Sequence, residues 1–297
     1  MKKQDRHFQV VDWLLIAMIV LPLVAGIVLQ VLTKPASEGI AITGARIFFE
    51  IPMPLMPMLI TEAQINSWLI MITIVGICLY LTHGIRAGVE TKRQMAAEWA
   101  VEKVEGLVLG NMEPVFHATY GPFIAAILAL SALSSLSAML GMFPPTADVN
   151  VVFGWSILVF ILITKNKLKT GVGAYLKGYL SPIFIMLPMN IIGEVATPIS
   201  MAMRHYGNVL SGMVISTLVA AGLTVVNNAV LGWLPGFLGE IPLLRVGLPA
   251  VLSVYFDIFS SCMQAFIFAI LTILNINGAY PGTNEIEAFR AKKRKAA

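Results

Sequence analysis

The chain of 297 residues is 58% hydrophobic and 12% charged, with a formal net charge of +4, whereas soluble domains carry about 25% charged residues. So apolar a composition leaves too little polar surface for a water-facing globule, and it points to an all-α polytopic membrane protein. Two cysteines in apolar runs, Cys78 and Cys262, and four histidines without ligand spacing exclude a disulfide framework and a metal site; no phosphate-binding glycine motif is present, so no cofactor is expected.

A helix needs about 20 apolar residues to cross hydrocarbon. The run at 13–32 supplies them directly after MKKQDRH and reads as a retained span rather than a signal peptide. Residues 34–61 form a connector whose IPMPLMPMLI segment holds too many prolines for a straight helix. The second span is predicted at 63–84. Residues 86–113 follow with four basic and five acidic side chains, and Trp99, Ala100, Val104, Leu107 and Val108 recur at helical spacing. That spacing fits an amphipathic surface helix or a solvated helical loop equally well.

A third span is expected over about 119–143, ending at MFPPTADVN, and a short fourth at 151–164 that can begin inside the preceding turn. KNKLKTGVGAYLKG (165–178) is a basic loop. The apolar region 179–230 contains Pro182, Pro188 and Pro198 and exceeds one crossing, so part of it must tilt or lie near an interface. The last span, about 246–277, is also longer than needed, and a basic tail follows. Six crossings starting in the cytoplasm put 16 of the 20 lysines and arginines on that side, with Lys34, Arg46 and Arg245 opposite and Arg204 inside a span. This positive-inside bias predicts a multi-pass cell-membrane protein with both termini cytoplasmic.

Glu194, Arg204 and Asp257 fall where a charge costs about 2.5–3.5 kcal/mol at a helix centre. Arg204 admits three readings: a packing salt bridge to Glu194 or Asp257, a place on an ion path, or snorkelling to a nearby boundary. Thr197, Ser200, Met201, Arg204, Gly207, Asn208, Ser211 and Ile215 share i+3 and i+4 steps, a largely small-residue stripe that lets another helix approach. Ser253, Asp257, Ser260, Ser261 and Gln264 share a second face, fit to line a wet channel or to cap a lone buried aspartate.

RHYGNVLSG (204–212), with PIS just before it, resembles the arginine-centred helix of the a subunits of F-type ATP synthases. QAFIFAILTILNI (264–276) resembles that family's terminal helix, and PPTADVN (144–150) its Pro-Thr/Ser-Ala-Asp-x-Asn turn. The resemblance covers about 60–278. It implies three regions: 1–60 with an additional transmembrane helix and external connector, 61–278 as the a-subunit membrane domain, and 279–297 as a basic cytoplasmic tail. It implies a non-catalytic, ion-translocating chain whose two long, tilted carboxyl-terminal helices face a ring of c subunits, with the b subunits of a peripheral stalk and membrane lipids as further partners and no nucleic acid. Two offset half-channels then pass a proton or sodium ion to and from a ring carboxylate, coupling flow to rotation and ATP synthesis. Arg204 corresponds to the separating arginine, Gln264 to the glutamine near it, and Asn208 to an interface residue; Asp148, Asn150 and Glu194 correspond to polar path residues.

The chain departs from that pattern at Met213, where many members carry an acidic or histidine side chain, and at His205 and Tyr206, which replace leucine and phenylalanine. Asp257 stands where histidine or glutamate is common. The far half-channel then relies on Asp257, or on His205 if that ring turns inward. An ion-coupled secondary transporter with broken helices and a membrane scaffold are the competing readings, although no two-half repeat is visible.

Overall fold

The computed structural model describes residues 10–33, 44–54, 57–85, 91–112, 114–180, 184–231 and 243–279. The amino-terminal lysines, Lys34, Arg86 and the basic tail lie outside them. Six helical segments among the described residues are long and apolar enough to cross a membrane: Val10–Thr33, Glu62–Thr82, Ala118–Leu140, Val149–Lys167, Phe184–Val230 and Gly247–Gly278. Each coincides with one of the expected spans, and the fourth does begin inside the PPTADVN turn. The protein is an all-α polytopic membrane protein.

The chain divides into two compact units. The first holds Met1–Ala100, Ala129–Asp148 and His205–Ala265; the second holds Val101–Leu128, Val149–Arg204 and Phe266–Ala297. In the first, helix α1 (Val10–Thr33) packs along α2 (Glu62–Thr82). Gly76 makes this possible, because a Cβ there would stand 3.1–3.3 Å from Ile19 and from the backbone of Met18. Asp12, almost fully buried, ties the start of α1 to Arg93 at 2.5 Å. The Arg93 guanidinium also lies 4.1 Å above the Tyr80 ring.

The proline-rich part of the connector is no helix: its described residues include two paired strands. Strand β1 (Ile47–Ile51) pairs antiparallel with β2 (Met58–Thr61), Glu50 opposite Leu59 and Ile51 opposite Met58. Pro52, Pro54 and Pro57 fall between the two strands, where no ladder N–H is needed. Arg46 fixes the hairpin base: its Nη1 donates to Thr33 Oγ1 at 2.8 Å and its Nε lies 3.7 Å from Glu62 Oε2. Thr61 caps α2 by accepting from the Gln64 N–H.

Helix α3 (Lys92–Leu109) forms as expected, but its apolar residues do not share one buried face. Trp99 and Ala100 are exposed while Val108 is buried. Helix α4 (Pro114–Leu136) tightens into a 3₁₀ turn, Ser137–Leu140, closed by Gly141 at φ +76°, the left-handed conformation glycine adopts without strain. A second 3₁₀ turn, Pro145–Ala147, leads into α5 (Val149–Lys167).

In the second unit the core is formed by Val152, Val159, Ile163, Phe268, Ala269 and Ile273. Tyr120 donates to Asn166 Oδ1 at 2.5 Å within it. The short helix α6 (Val172–Tyr179) precedes α7 (Leu187–Leu231), which runs 45 residues through Pro198 without a break. At 1.5 Å per residue the 45 residues of α7 amount to about 67 Å, about twice the hydrocarbon thickness and more than one upright crossing needs. The terminal segment consists of α8 (Leu243–Ser253), a π-helical stretch Val254–Ser260, and α9 (Ser261–Gly278).

Candidate ion-path site

Along α7, Gly193, Ala196, Ser200, Arg204, Ser211, Ile215, Leu218 and Gly222 are exposed, a stripe at steps of three, four or, between Arg204 and Ser211, seven residues, with five small side chains among the eight. Met201, Ala202, His205 and Gly212 turn the other way and are buried. Arg204 therefore presents its guanidinium outward, with no hydrogen-bond or ion-pair partner among the described residues. Met201 belongs to the buried side rather than to the arginine's stripe. Four hydroxyls of this helix bond to its own backbone, among them Thr197, which donates to Gly193 O at 3.0 Å, and Ser211, which donates to Gly207 O at 2.5 Å.

Within the second unit Glu194 has several partners. Lys167 Nζ is 3.1 Å from its Oε1, Tyr175 donates to Oε1 at 3.0 Å, and Tyr179 donates to Oε2. The two tyrosine hydroxyls are themselves 2.5 Å apart, and Asn190 Nδ2 donates to Tyr179 O at 2.9 Å. Burial raises both phenols above their ordinary 10.0, and for Tyr179 the hydrogen bond to Glu194 adds to the rise. A cleft of about 220 Å³ opens beside the carboxylate, lined in part by Phe160, Lys167, Glu194, Thr197 and Asn275. Lys167, Tyr175 and Tyr179 were not among the residues that spacing singled out; the i+4 pair in AYLKGY is the only trace of them in the sequence.

Within the first unit Asn208 and Ser260 hold α7 to the terminal segment. Asn208 Nδ2 donates to Ser260 Oγ at 2.8 Å, and the serine hydroxyl lies 3.0 Å from Asn208 Oδ1. Gly212 allows the close approach, since a Cβ there would stand 3.1–3.3 Å from Phe256. Asp257, half-buried in the π-helical stretch, accepts from Ser253. Such stretches, in which one residue more than usual fits into a turn, occur often at functional sites. The stretch also splits the expected polar face: Ser261 and Gln264 are buried, whereas Ser253, Asp257 and Ser260 are half-exposed.

Asp148 lies at the end of the Pro145–Ala147 turn and accepts from Thr61 Oγ1 at 3.2 Å. Asn150 is exposed in the first turn of α5. His205 is fully buried, its Nε2 3.5 Å from Ser131 Oγ.

Comparison with known proteins gives this arrangement a family. Residues 64–277 match the model of the ATP synthase A chain family. The ATP synthase subunit a of Acidothermus cellulolyticus is 31% identical over 214 residues, covering 68% of this chain and 70% of the relative. That of Desulforamulus reducens is 30% identical over 73% of this chain and 78% of the relative. The sodium ion specific subunit a of Propionigenium modestum is 24% identical, covering 77% of each. With a family match over well over half its length and relatives of this identity and coverage, the chain belongs to the ATP synthase A chain family, the a subunits of F-type ATP synthases.

Proposed function

We propose that Arg204 separates two offset half-channels beside a ring of c subunits, so that an ion crosses only by boarding a ring carboxylate. Family membership makes the chain an ion-translocating subunit of the membrane sector and disfavours the secondary-transporter and scaffold readings. The observation that carries the separator role is the outward guanidinium of Arg204, unpaired among the described residues. Glu194, which lies in the same unit, is engaged by Lys167 and two tyrosines instead.

A guanidinium keeps its charge at any physiological pH, so it repels a passing cation without becoming a proton carrier. It also pairs briefly with a ring carboxylate that has lost its ion. That pair must break at every step, and 100 mV supplies about 2.3 kcal/mol per elementary charge. A dry bidentate pair would outlast that drive, which an exposed arginine on a small-residue face avoids. Asn208, Asp257 and Gln264 belong to the same path in this reading, and Asp148, Asn150 and Glu194 are polar residues of it. Both termini then face the cytoplasm. Peripheral-stalk b subunits and lipid cover other faces, and the chemistry at phosphate belongs to other subunits.

The test is ATP synthesis and passive ion flux in vesicles holding matched amounts of assembled complex. Arg204→Ala is expected to abolish ion-driven synthesis and to let ions leak, and Arg204→Lys to remain severely impaired. Near-normal coupled synthesis by Arg204→Ala refutes the separator role.

A further inference from the structure

We propose that Thr146, Ser135, Ser131 and His205 form a buried relay that carries protons, and not sodium ions, from the Asp148 turn to the inner flank of α7. The proposal rests on the ion-path reading above and assigns that path a route and a coupling ion. All of its members belong to the first compact unit.

The starting observation is the density of buried polar side chains where α4 meets its following turns. Ser131, Ser134, Ser135, Ser137, Thr146 and His205 are each no more than 2% exposed. Serine and threonine hydroxyls in helices can donate to the carbonyl four residues back. Thr73, Thr82, Thr217, Thr224 and Thr272 do so here. Ser131 and Ser135 engage side chains on other segments instead. Ser135 Oγ is 3.1 Å from Thr146 Oγ1, and Ser131 Oγ is 3.5 Å from His205 Nε2. Ser134 Oγ, fully buried one turn from Ser131, has no hydrogen-bond partner among the described residues.

These contacts join into a line. Thr61 donates to Asp148, which lies two residues from Thr146; Thr146 meets Ser135; Ser131 is one helical turn from Ser135; and Ser131 meets His205. One turn further along α7, Asn208 is bonded to Ser260, towards the exposed side of the helix. Neighbours one turn apart on a helix have Cβ atoms about 5–6 Å apart, a span that one bridging water closes.

The residue types decide what can move along it. A hydroxyl or a neutral imidazole both donates and accepts. A proton can enter His205 at Nε2 as the one on Nδ1 passes to a bridging water on the way to the ring, and each hydroxyl likewise releases one proton as it accepts the next. No net charge stays behind, and the proton ends on the ring carboxylate. A hard metal cation instead needs about six oxygens around one point, and each junction here brings two atoms together. Met213, further along α7 than His205, carries no group that could take part.

The test compares Ser131→Thr with Ser131→Val in the intact complex, reconstituted in vesicles and driven by a pH gradient without sodium. The two substituents have nearly the same shape and crowd the site alike; only threonine keeps the hydroxyl. Per assembled complex, Ser131→Thr is expected to outpace Ser131→Val by roughly tenfold or more, the effect of losing one buried hydrogen-bonding link. Ser135→Ala, which adds no volume, is expected to slow synthesis likewise if Ser131→Val fails to assemble. A sodium gradient alone is expected to drive no synthesis by the unaltered complex. Equal rates for the two Ser131 variants, an unaffected Ser135→Ala, or sodium-driven synthesis would each overturn the proposal. Arg204→Ala run alongside separates the causes: if it alone fails, the ion-path reading stands and only the relay falls.

Discussion

The carboxylate of Glu194 is held at both oxygens, with Lys167 Nζ 3.1 Å from Oε1, Tyr175 donating to the same oxygen and Tyr179 donating to Oε2. This cluster fastens a helix of only eight residues to the start of the 45-residue α7. Such a short helix has little stability of its own, so its position depends on these bonds.

Tyr179 carries a pH signature. Burial, then its hydrogen bond to Glu194, holds its hydroxyl above the ordinary 10.0. The unfolded chain loses this proton near pH 10 while the folded chain keeps it, so the resulting stability is present below that pH and is lost as the pH rises beyond it. Tyr179→Phe is expected to lower stability at pH 8 by about 1 kcal/mol, for one lost hydrogen bond, and to flatten the decline above pH 10. Thermal melts of the purified complex across that range check this. An unchanged alkaline slope in the variant argues against it.

The Asp12–Arg93 pair sets how firmly α1 is attached. The Asp12 side chain is 3% exposed and Arg93 23%. Arg93→Leu leaves a buried carboxylate without its cation and is expected to cost about 3 kcal/mol. Asp12→Asn keeps a polar partner for Arg93 and is expected to cost less. Melting temperatures of the two variants rank them, and equal losses would show that the buried charge itself matters little.

Gly212 faces Phe256 with no room for a side chain. Gly212→Ala is expected to destabilise the contact by about 1–3 kcal/mol through overpacking, and Gly212→Val by more. Adding Phe256→Leu to Gly212→Ala relieves the crowding and is expected to recover part of the loss. A double variant no more stable than Gly212→Ala would place the strain elsewhere.

The six spans were legible because length and hydropathy alone define a crossing, and Gly76 or Asp12 has no say in it. The hairpin was not: Ile47–Ile51 and Met58–Thr61 are short, and the prolines between them mask the strands' alternation. Arg204 stood out as a lone cation in a neutral run. The side it faces follows from burial of Met201 and His205, which helical spacing by itself does not fix. Lys167, Tyr175 and Tyr179 reach Glu194 across 15 to 27 residues of sequence, and Ser131 and Ser135 resemble ordinary packing residues until their partners on other segments are known. The even face expected through Asp257 and Gln264 assumed an unbroken 3.6-residue period, which the chain does not keep.

That broken period sets an angular phase. Between Ser253 and Ser261 the backbone accommodates a residue that a regular helix would not, as the Ser261 hydroxyl on Phe256 O, five residues back, also reflects. Each residue of a regular helix advances the side chains by about 100°. Removing a single residue from Val254–Ser260 would restore a regular helix, yet it would also rotate everything beyond it by about that angle relative to Gly212 and Asn208. Gln264 would then leave its buried position while Cys262 changed faces. The stretch thus acts as a keyway within the first unit: Phe256 meets Gly212 before the extra residue, and Gln264 keeps its buried side after it.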